Sequence, residues 1–194
     1  MADAAGAWTR NQRVLHWTIA VLVGIAACMG IIMVGLPFRE LLLKFVLYQV
    51  HKSLGIAVLL LAVAQLVLHL TRGRPAWSDR LPERQRRAAF AVHVGLFALL
   101  VAVPCLGYLT AATAPARIPT LFLGVIPIPH ILGVDAALFA VLRRVHLAFA
   151  VTLLVIACGH AAMAIWHHWH GDDTLRRMWT GRPRHSAAAD AASR

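Results

Sequence analysis

A chain of 194 residues that is 60% hydrophobic and only 14% charged departs from soluble domains, in which about a quarter of residues are charged. Its formal charge of +11 raises nucleic acid as a partner, but Lys and Arg fall between apolar runs and not along one face, which argues against that class. The cysteines Cys28, Cys105 and Cys158 lie far apart inside apolar runs without a Cys-x-x-Cys motif, and read as small core residues.

The first apolar run covers residues 14–38. It is too long for a signal-peptide core and no small-residue cleavage pattern follows, so it reads as a retained anchor. The second covers 45–70 and is interrupted by His51, Lys52, Gln65 and His69. The third covers 88–114 and the fourth 145–169. Each exceeds the roughly 20 apolar residues that cross a bilayer. Residues 118–142 form a further apolar stretch, read as a non-spanning loop because Pro119, Pro127 and Pro129 break helical continuity and Asp135 lies inside it.

Four spans place both termini on the same side as the loop 71–87. That side then holds thirteen of the Lys and Arg residues, and the other holds six: Arg39, Lys44, Lys52, Arg117, Arg143 and Arg144. The excess marks the cytoplasmic side. The expected fold is an all-α membrane protein, a four-transmembrane-helix bundle with both termini cytoplasmic and a Pro-rich periplasmic loop between helices 3 and 4. The helical domain takes residues 1–178, and 179–194 form a basic cytoplasmic tail expected to be disordered. Trp8, Trp17, Trp166, Trp169 and Trp179 flank cytoplasmic helix ends like an interfacial belt, and Trp77 lies in the cytoplasmic loop.

Eleven histidines carry the chemistry, because polar side chains at membrane depth turn toward a bundle interior, a pathway or a cofactor. His146 and His160 are fourteen residues apart on the fourth helix. They therefore share a face and differ by about 21 Å in height. His51 matches the depth of His146, and His16 that of His160. The pairs His51/His146 and His16/His160 are thus placed to grip two irons from opposite sides, which favours electron transfer because no coordination position stays open. Gly55, Gly159 and Ala161 are small residues that would admit a porphyrin. Two other readings stay open: a histidine pathway for protons or metal ions, against which stands the lack of Asp or Glu inside any span, and structural hydrogen bonding. His93 lies near the depth of His16 and His160 and competes as a ligand, or binds a propionate, a quinone oxygen or a neighbouring helix. His69 reads as interfacial and His130 as a surface residue of the outer loop. His167, seven residues after His160 and so near its face, is a better quinone contact than His168 or His170.

The segments RVLHWTIA at 13–20, HKSLG at 51–55, HVGLFALLVAVPCLGYL at 93–109, LFLGVIPIP at 121–129 and RRVHLAFAVTLLVIACGHAAMAIWHHWHGDDTLRRM at 143–178 resemble the bacterial cytochrome b561 family, the di-haem proteins related to superoxide:ubiquinone oxidoreductase. The resemblance implies two haems b with axial ligands at His16, His51, His146 and His160, in a multi-pass protein of the bacterial inner membrane. It implies transfer between a periplasmic one-electron donor, with superoxide as a candidate, and ubiquinone bounded by Trp17, His167 or Trp166. Lys52, Arg117, Arg143 and Arg144 are candidates to attract an anionic donor, while the plainer reading of Arg143 and Arg144 is that they pair with haem propionates or mark the helix start. The alternative is a non-enzymatic cytochrome b subunit carrying electrons between quinol and a partner redox protein. This chain departs from its relatives at Gln65 and His69, where they commonly carry arginines near the cytoplasmic haem or quinone.

Overall fold

The computed structural model describes residues 8–73 and 82–181. Arg74, Trp77 and Arg80 of the basic loop, and 182–194 of the tail, lie outside the described residues.

Helix α1 (Arg10–Gly35) opens on a capping box in which Thr9 and Gln12 exchange hydrogen bonds. It ends at Leu36, extended as a residue before proline prefers. One 3-10 turn, Phe38–Glu40, leads into α2 (Leu41–Arg72), which stops at Gly73 with φ 72°. Helix α3 (Glu83–Thr113) starts behind Pro82 and carries Pro104 inside it. The connection that follows holds a two-stranded antiparallel hairpin, β1 (Thr120–Phe122) and β2 (Ile126–Ile128), turning through Leu123 and Gly124 at positive φ. Helix α4 (Ala136–Trp169) is followed by the short α5 (Thr174–Trp179).

All four long helices are long and apolar enough to cross a membrane. The side chains buried by packing are few: Ile19, Met33, Val58, Ala62, Ala112 and Leu153 form the apolar core. Leu42, Leu70 and Ile31 are about three-quarters exposed, as expected of side chains facing lipid. Helix α1 packs on α2, α2 on α3 and α3 on α4, whereas α4 meets α1 and α2 sparsely or not at all. The bundle is therefore open along the side between α4 and the α1–α2 pair.

Three differences from the sequence reading have physical causes. Helix α4 begins at Ala136, inside the stretch read as loop, because the Asp135 carboxylate accepts from Leu138 N at 2.9 Å and caps it. The apolar stretch before it is held by α2 side chains. Gln49 donates to the Pro119 carbonyl at 2.8 Å and accepts from Leu121 N at 3.0 Å. Ser53 donates to the Leu121 carbonyl and accepts from Leu123 N, at 3.2 and 3.0 Å. Lys52 donates to the carbonyls of Ile118 and Pro119. These positions share one face of α2, and they satisfy strand groups that a two-stranded hairpin leaves open. Lastly, Trp179 closes α5 and its ring lies 5.1 Å from that of Trp17, so ordered structure reaches into the segment read as tail.

Candidate functional site

At the end of the bundle that carries the hairpin, His51 stands ten residues into α2 and His146 ten residues into α4. Their ring centres are 6.3 Å apart with planes at 89°. At the other level, nearer the end with both termini, the rings of His16 and His160 are also 6.3 Å apart, with planes at 67°. Both pairs reach across the open side of the bundle. Imidazoles bonded through one nitrogen each to opposite faces of one iron have ring centres about 6.3 Å apart, given metal–nitrogen bonds of about 2 Å. The residues present therefore fit a six-coordinate haem iron at each level.

The pair at the hairpin end is oriented from the neighbouring helices. His51 Nδ1 hydrogen-bonds the Ala26 carbonyl of α1 at 2.9 Å, and His146 Nδ1 the Val103 carbonyl of α3 at 3.0 Å. A carbonyl can only accept, so Nδ1 carries the proton and Nε2 keeps its lone pair for a metal. His69, His93 and His170 instead bond the carbonyl four residues back on their own helix. Close glycines make room for the rings of this pair. A Cβ at Gly30 would fall 3.4 Å from His51 Cε1, and one at Gly107 would fall 3.1 Å from His146 Cε1. Sequence reasoning missed both. A Cβ at Gly55 or Gly159 would meet neither histidine ring within 4 Å.

The level nearer the two termini is more crowded. His93 of α3 lies edge-on to His160 at 5.0 Å, too close for the two to bracket one iron. His69 stacks edge-on with Trp8 and Phe97 at 5.3 and 5.5 Å. Gln65 is buried at 4% exposure, and its Oε1 has no hydrogen-bond partner among the described residues. Of the three residues read as quinone contacts, Trp17 lies edge-on to His16 at 5.3 Å. Trp166 and His167 meet each other at 5.1 Å, and Trp166 stacks on His170 at 4.1 Å.

At the hairpin end, the Lys52 ammonium is committed to the Ile118 and Pro119 carbonyls. His130 Nε2 bonds Thr120 Oγ1 at 3.0 Å, and burial together with the nearby Lys52 charge holds its imidazole below the ordinary value. Arg117 and His130 line a cavity of about 350 Å³. Arg143 and Arg144 line a smaller one of about 210 Å³ with Phe139 and Ala140.

The family model described as prokaryotic cytochrome b561 matches residues 7–181. Cytochrome b561 homolog 2 of Escherichia coli (strain K12) is 29% identical over 164 residues, covering 84% of this chain and 86% of that protein. Cytochrome b561 homolog 1 of the same organism is 25% identical over 176 residues, covering 90% of this chain and 98% of that protein.

Proposed function

The chain belongs to the prokaryotic cytochrome b561 family of membrane-bound haem b electron-transfer proteins, and from that premise we propose that it holds two haems b and moves electrons between a donor at its outer face and membrane ubiquinone. The observation that carries this reading is the repeated 6.3 Å ring separation, at two levels, between α4 and the α1–α2 pair. His51 and His146 hold the outer iron; His16 and His160 hold the inner one. Each haem supplies a one-electron iron couple.

The chain's own residues do the rest. The Ala26 and Val103 carbonyls fix the outer imidazole tautomers. Apolar side chains of the helices exclude water and so tune the potential of the site. Trp17, touching His16, marks the approach for the quinone ring, with His167 and Trp166 at the same end. The excess of Lys and Arg at the end with both termini orients that end to the cytoplasm, in a bacterial inner membrane. Arg117, Arg143 and Arg144 then face the periplasm, where their charge attracts an anionic donor such as superoxide.

The test is a redox-titrated absorption spectrum of purified protein with haem counted against protein, followed by mixing with superoxide, with ubiquinol and with candidate redox proteins. Two haems per chain and fast reduction by superoxide support the oxidoreductase reading. Two haems reduced only by quinol or a partner protein make the chain a carrier subunit. Colourless protein from haem-sufficient cells ends the proposal.

A further inference from the structure

Helix α5 is latched onto α1 on either side of His16. Arg13 Nη1 donates to the Trp179 carbonyl at 2.9 Å, and Trp17 Nε1 donates to the Met178 carbonyl at 3.0 Å. Gly181, at φ +76°, presses on the Arg13 guanidinium so closely that a Cβ there would fall 2.8 Å from Cζ. Helix α5 also packs on α4. It therefore bridges α4 to α1 at the inner end of the open side, below His16 and His160.

Three nitrogens at this bridge are buried without a hydrogen-bond partner among the described residues: Arg13 Nε from α1, His168 Nδ1 from α4 and Arg177 Nε from α5. Arg13 stands one helical turn before His16, and His168 about two turns after His160. Buried polar groups are normally paired, and Arg13 and Arg177, themselves half-buried, each keep a buried Nε open to an acceptor. Two carboxylates lie nearby in the chain. Asp172 is engaged with the Thr174 backbone N–H and hydroxyl, and Asp173 stands one turn before Arg177. Against them, among the described residues, are Arg13, Arg176 and Arg177, so the bridge carries one more arginine than it has carboxylates.

We propose that Arg13, Arg177 and His168 seat the propionate carboxylates of the inner haem, an inference that rests on the ligand reading above. A haem b carries two carboxylates on one edge of its ring. Carboxylates disfavour the hydrocarbon and turn toward the membrane surface, and guanidinium is the side chain suited to pair with them. Helix α5 thus acts as a strap that brings Arg177 to the cofactor edge, while Arg13 ties the strap down and presents its Nε.

The experiment uses the full chain purified with its haems, as wild type, Arg177→Gln and Arg177→Lys. Two quantities are read: the midpoint of each haem, and the propionate bending modes in the low-frequency resonance Raman spectrum. Removing a cation beside a haem disfavours its more negative, reduced form. Arg177→Gln is expected to lower the reduction equilibrium of one haem about tenfold, about 59 mV for one electron, and to shift that haem's propionate mode. Arg177→Lys restores the midpoint and leaves the mode shifted. In a His160→Ala background, which lacks the inner haem, Arg177→Gln changes neither quantity in the haem that remains. If Arg177→Gln does not assemble, the propionate mode of Arg177→Lys alone decides. Unmoved propionate modes with both haems bound overturn the inference, including the case where the variant instead releases a tightly bound anionic phospholipid, which marks a headgroup site. Retention of both haems in His160→Ala overturns the ligand reading itself, and the inference falls with it.

Discussion

Gly107 on α3 and His146 on α4 are in such close approach that a methyl group on the glycine would lie 3.1 Å from the imidazole Cε1 and 3.4 Å from Nδ1. The same ring is held by the Val103 carbonyl one turn earlier on α3, so it has little freedom to retreat. Gly107→Ala should therefore displace the ring from the bond that orients it. The expected outcome is a loss of outer-haem affinity on the order of tenfold, the usual scale for disturbing a ligand's supporting shell. Gly30→Ala, whose methyl would lie 3.4 Å from His51 Cε1, should cost less. Haem-to-protein ratios of the two variants, purified side by side, check the order; equal and full occupancy in Gly107→Ala contradicts it.

The ring separations rank the histidines as ligands. His160 is 6.3 Å from His16 and 5.0 Å from His93, and only the first distance leaves room for an iron between two rings. His160→Ala and His16→Ala should each remove one haem and leave the other. His146→Ala should remove the other haem, and His93→Ala should keep both. Spectra of the four variants read this directly. Loss of a haem in His93→Ala together with retention in His16→Ala assigns the inner pair differently.

What was legible in the sequence was periodic. The fourteen-residue spacing of His146 and His160 placed both on one face of α4, and their rings do lie opposite those of His51 and His16. The existence of four long helices and the break at the prolines of 119–129 were readable for the same reason, since hydrophobic runs and prolines act locally, whereas the start of α4 at Ala136, inside the stretch read as loop, rests on the Asp135 cap. What was hidden depends on distances between helices. Gly30 and Gly107 look like any other glycine in an apolar run until the ring of another helix is set against them. Gln49 and Ser53 look like ordinary polar interruptions, because their partners are backbone groups about 70 residues away. Helix α5 is too short for a period, and its position rests on Arg13 and Trp17.

The docking of the hairpin on α2 should contribute measurably to stability. Gln49→Leu leaves the part-buried Leu121 N–H without its side-chain partner and the Pro119 carbonyl with only its Lys52 bond, and orphaning such a donor costs about 1–3 kcal/mol. The variant should melt at a lower temperature in detergent and be cut faster by protease within 118–130. Gln49→Glu keeps an acceptor for Leu121 N and loses only the donor, so it should fall between the two. Unchanged melting and protease resistance in Gln49→Leu would show that the hairpin is held by its apolar contacts alone.

The hairpin's far end should loosen in acid. His130 Nε2 meets Thr120 Oγ1, the Tyr108 ring lies 6.3 Å away, and the Lys52 charge is nearby. Burial first and Lys52 second hold this imidazole below its ordinary value of 6.5. The undocked histidine therefore takes up a proton as pH falls through 6.5, while the docked one resists until lower pH. The docked state is accordingly fully favoured above that value and loses its advantage through the window below it. Protease cutting within 118–130 should accelerate as pH falls below 6.5, once corrected for the protease's own profile. His130→Gln keeps an amide within reach of Thr120 but cannot titrate, so its cutting rate should stay flat over that range. An equal acceleration in His130→Gln would move the acid sensitivity to another group.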